Sequence, residues 1–180
     1  MKAEKTKLDG CFIIHDTVFH DSRGYFFESF NRQKFADQTG WDVSFVQDNQ
    51  SFSSKGVLRG LHFQKGDAAQ AKLVRALTGK VLDVAVDIRK DSPTYGEHVA
   101  VELTAENGKQ LFIPRGFAHG FVVLSETATF FYKCDNYYNK AAEGGLIYND
   151  ADINIDWQLS SDLFELSEKD LLLPTLKSLE

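Results

Sequence analysis

The sequence predicts an all-β fold, a β-sandwich or small barrel of mostly antiparallel strands with a short helical C-terminal tail. Eight short segments rich in strand-forming residues follow one another along the chain, at a spacing typical of such folds. Turn residues separate them, as in Glu106-Asn107-Gly108 and Pro114-Arg115-Gly116. At 180 residues, 43% hydrophobic and 26% charged, the chain has the size and composition of one globular domain over residues 1–180.

Each strand is predicted from an apolar run between two turns. In chain order the predicted strands are Val43–Val46, Val57–Phe63, Lys72–Leu77, Val81–Ile88, His98–Leu103, Gln110–Ile113, Ala118–Val123 and Thr127–Asp135. The clearest is Val81–Ile88, because its even-numbered residues are all aliphatic while the odd-numbered ones include Asp83 and Asp87. Strict alternation puts these two sets on opposite faces of the strand.

Two short helices are predicted at the periphery. Asn31 fits an N-cap for a helix over Arg32–Gln38, with Gly40 just past its end. Ser167 fits an N-cap for a helix near the C-terminus that Pro174 ends. Asp170, three residues after Ser167, can close a capping box, a role that needs no active site.

Composition and charge exclude several classes of function. The net charge of −6 makes a nucleic-acid-binding surface an unfavoured interpretation and, taken alone, also weighs against an anionic ligand. No apolar run reaches membrane-spanning length, and the first residues lack the apolar region of a signal peptide. The two cysteines, Cys11 and Cys134, are too few for a disulfide framework. We therefore expect a cytoplasmic protein that binds neither nucleic acid nor membrane.

Motifs for metals and cofactors are missing from the sequence. None of the five histidines lies in an H-x-H or H-x-x-x-H pair, and no phosphate-binding glycine motif follows a strand. We therefore predict no metal and no cofactor.

Three segments carry polar side chains inside apolar strands. Arg59 and His62 lie on opposite faces under strict alternation, and a bulge at Gly60 would bring them together. A pair of titratable groups in one strand is costly unless it lines a polar cavity. Lys72 is equally explained as a solvated strand end, and Tyr132 as a core ring with a bonded hydroxyl. The residues alone leave these alternatives open.

The segment Gly108-x5-Pro114-x-Gly116-x-x-His119 resembles the second motif of the cupin superfamily. In that motif a tight turn delivers a histidine into the mouth of a jelly-roll barrel. The metal-binding first motif of the superfamily is absent. The similarity is therefore to a cupin-like jelly-roll barrel without its metal ligands.

Eight motifs between about residue 10 and residue 175 together resemble the dTDP-4-dehydrorhamnose 3,5-epimerases. They are Arg23–Ser29, Phe45–Asn49, Val57–Gln64, Lys72–Arg75, Asp83–Arg89, Ile113–Phe121, Tyr132-Lys133 with Tyr137-Tyr138, and Ser167–Asp170. The resemblance implies a homodimer without metal or cofactor that acts on dTDP-4-dehydro-6-deoxy-D-glucose. The implied reaction inverts carbons 3 and 5, which flank the 4-keto group.

The resemblance also implies roles for individual residues. His62 corresponds to the catalytic base, Asp170 to its partner, Tyr132 to the acid on the opposite face, and Lys72 to a residue beside the keto oxygen. Positions that correspond to substrate contacts are Arg23, Glu28, Gln47, Asn49, Arg59, His119, Glu143 and Lys169, and Tyr138 corresponds to a tyrosine that stacks on thymine. The role of Asp83 stays open: it is either a second partner for His62 or Lys72, or a hydrogen-bonded barrel residue.

The chemistry of epimerisation explains these residue types. Removing a proton next to a carbonyl needs a base, and an imidazole is close to its working pKa at neutral pH. A carboxylate fixes the tautomer of that imidazole, and an ammonium stabilises the enolate oxygen. The resemblance further predicts that Arg23, Arg59, Lys72 and Lys169 converge on one pocket. Such a local positive field is hidden by the net charge.

Other functions remain open at this point. A 5-epimerase or 3-epimerase would act on the same sugar at one carbon only, and a 3,4-ketoisomerase would move the keto group. A nucleotide-sugar-binding module without catalysis is the alternative from another class. For the homodimer the sequence itself adds only the apolar surface of Tyr25-Phe26-Phe27.

Overall fold

A computed structural model describes residues 1–179 of the chain. Its strands are β1 (Lys2–Lys5), β2 (Phe12–His15), β3 (Phe19–Asp21), β4 (Gly24–Phe26), β5 (Gln47–Ser54), β6 (Leu58–Gln64), β7 (Lys72–Thr78), β8 (Lys80–Asp87), β9 (His98–Thr104), β10 (Lys109–Ile113), β11 (Phe117–Val123), β12 (Thr127–Cys134) and β13 (Glu143–Gly145). The α-helices are α1 (Arg32–Thr39) and α2 (Glu168–Leu171).

Two antiparallel sheets face each other and form a jelly roll. One sheet has the order β1-β2-β10-β7-β12-β5, and the other has the order β13-β6-β11-β8-β9. Between them lies an apolar core that includes Val74, Val81, Leu111, Phe121 and Phe130. The predicted all-β, cupin-like class is confirmed.

The outer face of each sheet is covered by a different part of the chain. Helix α1 buries Phe35 against Phe112 of the six-stranded sheet, with ring centroids 4.9 Å apart. The tail after β13 covers the five-stranded sheet and buries Trp157 with Leu58 and Val84. Both faces of β8 are therefore buried, because the tail covers its aliphatic face.

Seven of the eight predicted strands are confirmed within one residue at each end. The strand predicted at Val43–Val46 is wrong: that segment is irregular, and the strand is β5, which begins at Gln47. Strand β5 reads Gln-Asp-Asn-Gln-Ser-Phe-Ser-Ser, without the apolar alternation of a strand that packs on a core. One of its faces contributes polar side chains to the cavities described below.

An exposed hairpin was not predicted. Strands β3 and β4 pair antiparallel, from Phe19 opposite Phe26 to Asp21 opposite Gly24. Tyr25 is 67% exposed and Phe26 70% exposed. The apolar surface expected of the Tyr25-Phe26-Phe27 segment is thus displayed on a projecting element.

Both predicted helices are present with the expected caps. The Asn31 side chain accepts a hydrogen bond from the Lys34 backbone N–H at 3.1 Å, and Gly40 ends α1 at φ +77°. The Ser167 hydroxyl accepts from the Asp170 N–H at 3.2 Å. The carboxylate of Asp170 does not return to Ser167 but turns into the barrel, so the predicted capping box is half formed. No helix within residues 1–179 is long and apolar enough to cross a membrane.

Asp150 ties the tail together. It is 4% exposed, and its carboxylate accepts backbone N–H groups from Asp152 and Ile153 on one oxygen and from Leu176 on the other, at 2.6 to 3.3 Å. A buried N–H that loses its acceptor costs free energy. The path of the tail from β13 to α2 therefore depends on this carboxylate.

Replacing Asp150 by Ala is expected to lower the free energy of unfolding by about 2–3 kcal/mol, since buried N–H groups lose their acceptor. Urea unfolding at fixed protein concentration measures the change. Asp152→Ala is the matched control, because Asp152 makes only an exposed ion pair with Lys177 at 2.9 Å and should cost less than about 1 kcal/mol. Equal losses in the two variants would contradict the anchoring role.

Candidate active site

A bulge in β6 brings Arg59 and His62 to the same cavity. His62 pairs with His119, while Arg59 pairs with Phe121, so β6 holds one more residue than β11 over this stretch. Gly60 has φ +122°, and a Cβ there would lie 2.6 Å from the Gly120 Cα. Only glycine fits this close approach of two backbones. The bulge predicted at Gly60 is confirmed.

The cavity has a volume of about 510 Å³, within the size range of small-ligand sites. Its lining includes Ser51, Arg59, His62, Lys72, His119, Tyr132, Lys169 and Asp170. A second cavity of about 260 Å³ shares His62, Lys72 and Tyr132 with the first and adds Gln47, Asn49, Gln64, Tyr138 and Glu143. The two cavities are therefore neighbours that share three polar side chains.

His62 and Asp170 form the shortest polar contact between β6 and the tail. The His62 Nε2 lies 2.6 Å from the Asp170 Oδ1; the His62 side chain is 32% exposed and that of Asp170 5%. With Nε2–H donating to the carboxylate, the lone pair of a neutral His62 is on Nδ1. Helix α2 thus delivers the carboxylate while Ser167 caps the same turn, which makes capping and pairing compatible.

Lys72 and Tyr132 lie on neighbouring strands and face the same interior. The Lys72 Nζ is 5.9 Å from the centroid of the Tyr132 ring. Burial lowers the pKa of Lys72, and the negative charge of Asp83 opposes that shift. Burial raises the pKa of Tyr132 above its usual value.

His119 and Asp83 form a second imidazole–carboxylate pair. The His119 Nε2 lies 2.8 Å from the Asp83 Oδ1, and burial lowers the pKa of His119. Of the partners left open for Asp83, neither His62 nor Lys72 hydrogen-bonds to it within residues 1–179. The structure makes Asp83 the partner of His119.

Three cations line the larger cavity: Arg59, Lys72 and Lys169. The Arg59 guanidinium donates from Nε and Nη2 to the Ser53 hydroxyl, each at 3.2 Å. The Lys169 Nζ pairs with the Glu143 Oε1 at 2.5 Å and holds the pKa of Glu143 below its usual value. Asp170 and Glu165 line the same cavity, so a chain of net charge −6 gathers three cationic side chains there beside two acidic ones.

Hydrogen bonds among the polar side chains that line the smaller cavity fix their orientation. The Gln47 side chain accepts from the Tyr138 N–H at 3.0 Å and donates to the Asn49 Oδ1 at 3.0 Å. The Tyr138 hydroxyl donates to the Glu143 Oε2 at 3.2 Å. These bonds hold an aromatic ring that is 52% exposed at the mouth of the site.

Arg23 and Glu28 lie away from both cavities of their own chain. Arg23 is in the turn of the β3–β4 hairpin, with its Nη2 2.6 Å from the Asp21 Oδ2. Glu28 pairs with the Lys34 Nζ at 2.9 Å. Within a single chain Arg23 therefore lies outside the pocket that Arg59, Lys72 and Lys169 line, and its convergence on that pocket stays a prediction.

Ser51 and Gln64 line these cavities without having been predicted. The hydroxyl of Ser51 is buried and has no hydrogen-bond partner among residues 1–179. The sequence carried no periodic signal for Ser51, since β5 is polar at every position except Phe52. Within residues 1–179, His, Cys, Asp and Glu side chains form no cluster of three that could hold a metal ion.

The chain is similar to one well-defined group of proteins. A family model described as dTDP-4-dehydrorhamnose 3,5-epimerase matches residues 5–178. The epimerase of that name from Salmonella typhimurium is 56% identical over 172 residues, which cover 96% of this chain and 93% of the relative.

Two solved structures extend the similarity to the fold. The crystal structure of dTDP-4-dehydrorhamnose 3,5-epimerase from Elizabethkingia anophelis has a TM-score of 0.96 and 58% identity, covering 98% of this chain and 97% of the other. A dTDP-6-deoxy-D-glucose-3,5-epimerase from Legionella pneumophila, in complex with dTDP-4-keto-L-rhamnose, has a TM-score of 0.95 and 46% identity, covering 99% and 94%.

Proposed function

Since the chain belongs to the dTDP-4-dehydrorhamnose 3,5-epimerase family, we propose that His62, Asp170, Lys72 and Tyr132 carry out the family's reaction in the cavity they line. The enzyme inverts carbons 3 and 5 of dTDP-4-dehydro-6-deoxy-D-glucose and so forms dTDP-4-dehydro-L-rhamnose. The observation that carries the assignment of residues is the 2.6 Å contact between His62 and Asp170 in the cavity shared with Lys72 and Tyr132.

His62 acts as the base. Its Nδ1 takes the proton from the carbon next to the 4-keto group, and the C–H electron pair moves into the enolate. Asp170 accepts the Nε2–H and stabilises the imidazolium that forms. Lys72, as an ammonium, stabilises the negative charge on the enolate oxygen. Burial makes Lys72 effective here, because few water molecules compete for that charge.

Tyr132 acts as the acid on the other face. Its hydroxyl gives a proton to the carbon, which inverts the configuration and leaves a tyrosinate beside the imidazolium. The raised pKa of Tyr132 keeps the hydroxyl protonated at neutral pH before each transfer. Exchange with solvent returns a proton to Tyr132 and removes one from His62, and the same steps at the second carbon complete the reaction.

The remaining polar side chains hold the substrate in the two cavities. Arg59 and Lys169 supply the charge that a diphosphate requires, and Arg59 is already oriented by Ser53. The exposed ring of Tyr138 offers a stacking surface for thymine, with Gln47 and Asn49 beside it. His119 contacts the sugar, and Glu143 holds Lys169 and Tyr138 in place.

A second copy of the chain completes the site. Arg23 and Glu28 correspond to substrate-contact positions yet lie outside their own chain's cavity, on or beside a hairpin that exposes Tyr25 and Phe26. Burying that apolar surface in a homodimer would place the Arg23 guanidinium at a partner's site. We also keep the cytoplasm as the predicted location, since Cys11 and Cys134 are free and buried.

Heavy water tests the reaction. The wild-type enzyme should place deuterium at carbons 3 and 5 of the sugar, and label at one carbon only would contradict double epimerisation. His62→Ala should lower the exchange rate about 10³-fold, because the base is lost, while dTDP binding by calorimetry stays unchanged.

His15→Ala is the matched control for that variant. His15 is another histidine paired with a carboxylate, at 2.9 Å from Glu4, and its side chain is 34% exposed, close to the value for His62. It lines neither cavity, so its exchange rate should equal that of the wild type. Unchanged exchange in His62→Ala would refute the mechanism.

Tyr132→Phe separates proton removal from proton return. The base remains, so deuterium exchange at carbon 5 should persist longer than net inversion, which needs the acid on the opposite face. NMR of the sugar follows both in one sample. Equal loss of exchange and inversion would count against Tyr132 as the acid.

Mixed dimers test the contribution of Arg23 across subunits. Arg23→Ala and His62→Ala should each be nearly inactive at low substrate concentration. After subunit exchange, about a quarter of the sites combine an intact His62 with an intact partner Arg23, and activity should return. Mixing His62→Ala with Asp170→Asn is the control without recovery, since both changes lie in the same cavity. No recovery in the first mixture, or a 20.3 kDa species in sedimentation, would contradict the proposal.

A further inference from the structure

Asp83 is a buried carboxylate on the interior face of β8 that the proposed roles leave unused. It is fully buried between Val81 and Ala85, which belong to the core between the sheets. Its Oδ1 is 2.8 Å from the His119 Nε2, and its Oδ2 is buried with no hydrogen-bond partner within residues 1–179. A half-satisfied carboxylate in an apolar core is costly and calls for a physical reason.

The groups around Asp83 supply that reason. Lys72 lines the same cavity as His119, the hydrogen-bond partner of Asp83, and the negative charge of Asp83 opposes the effect of burial on the ammonium. His119 faces Asp83, Lys72 and His62, and Asp83 is the partner that favours its proton. One carboxylate therefore acts on two side chains that line the cavity.

We propose that Asp83 is a positioning residue for the epimerisation, which fixes His119 as its Nε2–H tautomer and keeps Lys72 protonated where the enolate oxygen forms. The inference rests on the proposed function and adds to it a residue that does not touch the substrate. The unpartnered Oδ2 leaves the carboxylate free to attract Lys72 through space, without a direct bond that would hold the ammonium away from the keto oxygen.

The tautomer decides what His119 can do for the sugar. A neutral imidazole that donates Nε2–H to Asp83 has a lone pair on Nδ1. His119 is then an acceptor for a substrate hydroxyl and leaves hydrogen-bond donation to the keto oxygen to Lys72. With the opposite tautomer, His119 would donate from Nδ1 and compete with Lys72 for that oxygen.

Nitrogen NMR of histidine-labelled wild-type protein tests the first half of the proposal. The His119 resonances, assigned by their loss in His119→Gln, should report a neutral ring protonated at Nε2 from about pH 6 to pH 8. A ring protonated at Nδ1, or an even mixture of tautomers, would overturn the positioning role. This measurement needs neither substrate nor activity, so it stands even where the proposed reaction fails.

The pH dependence of kcat/KM tests the second half. Asp83→Asn removes the charge that favours protonated Lys72, so Lys72 should lose its proton at lower pH. The alkaline limb of the profile should move down by about one pH unit. A limb at its wild-type position would overturn the effect on Lys72, whatever the loss of stability.

Asp87→Asn is the matched control. Asp87 lies four residues further along β8 on the same face and is also fully buried. Its oxygens bond to Arg89, Ser92 and Thr94, with its Oδ2 2.7 Å from the Arg89 Nη2, and it lines neither cavity. The Asp87→Asn variant should be less stable than the wild type but keep the alkaline limb of its pH profile at the wild-type position. The same shift of the alkaline limb in both variants would make the effect structural and overturn the proposal.

Discussion

The hydrogen bond between His62 and Asp170 is the constraint on which the rest of the structure depends. Its two residues are 108 positions apart, and the bond exists only if the tail returns across the five-stranded sheet. Asp150 holds the tail in that path, and Ser167 ends it in one capped turn. The same tail buries the aliphatic face of β8, whose other face carries Asp83. Stability of the fold and orientation of the His62 ring therefore share one set of contacts.

Cationic side chains are concentrated at one cavity, although the chain as a whole has a net charge of −6. Arg59, Lys72 and Lys169 line one cavity together with Asp170 and Glu165, while other acidic side chains such as Asp152 and Glu126 lie at the surface. A bound diphosphate interacts with the nearby field, because distant surface charges are screened within about 10 Å. Burial opposes the charge of the Lys72 ammonium, and the negative charge of Asp83 supports it.

Whether the sequence predicts a strand or a side-chain position depends on what the residues of that segment pack against. Strands with one apolar face were predicted within a residue, and Gly60 correctly indicated the bulge that joins Arg59 to His62. Strand β5 was missed because its side chains serve a polar cavity instead of a core. The hairpin and the position of Arg23 could not be predicted, since a projecting element buries nothing in its own chain and leaves no apolar period. The pairing of Asp83 with His119 needs the register of β8 against β11, in which Asp83 lies opposite Phe121 and Ala85 opposite His119.

Two imidazole–carboxylate pairs on adjoining strands differ chiefly in burial, and that difference separates their roles. His62 is 32% exposed at its side chain and His119 only 7%. A base must gain and lose a proton in each cycle, so it needs contact with solvent and a partner that tolerates the imidazolium. An imidazole enclosed in the core resists protonation and is suited to a fixed tautomer. This difference agrees with the proposed roles, in which His62 with Asp170 moves protons and His119 with Asp83 keeps its proton in place.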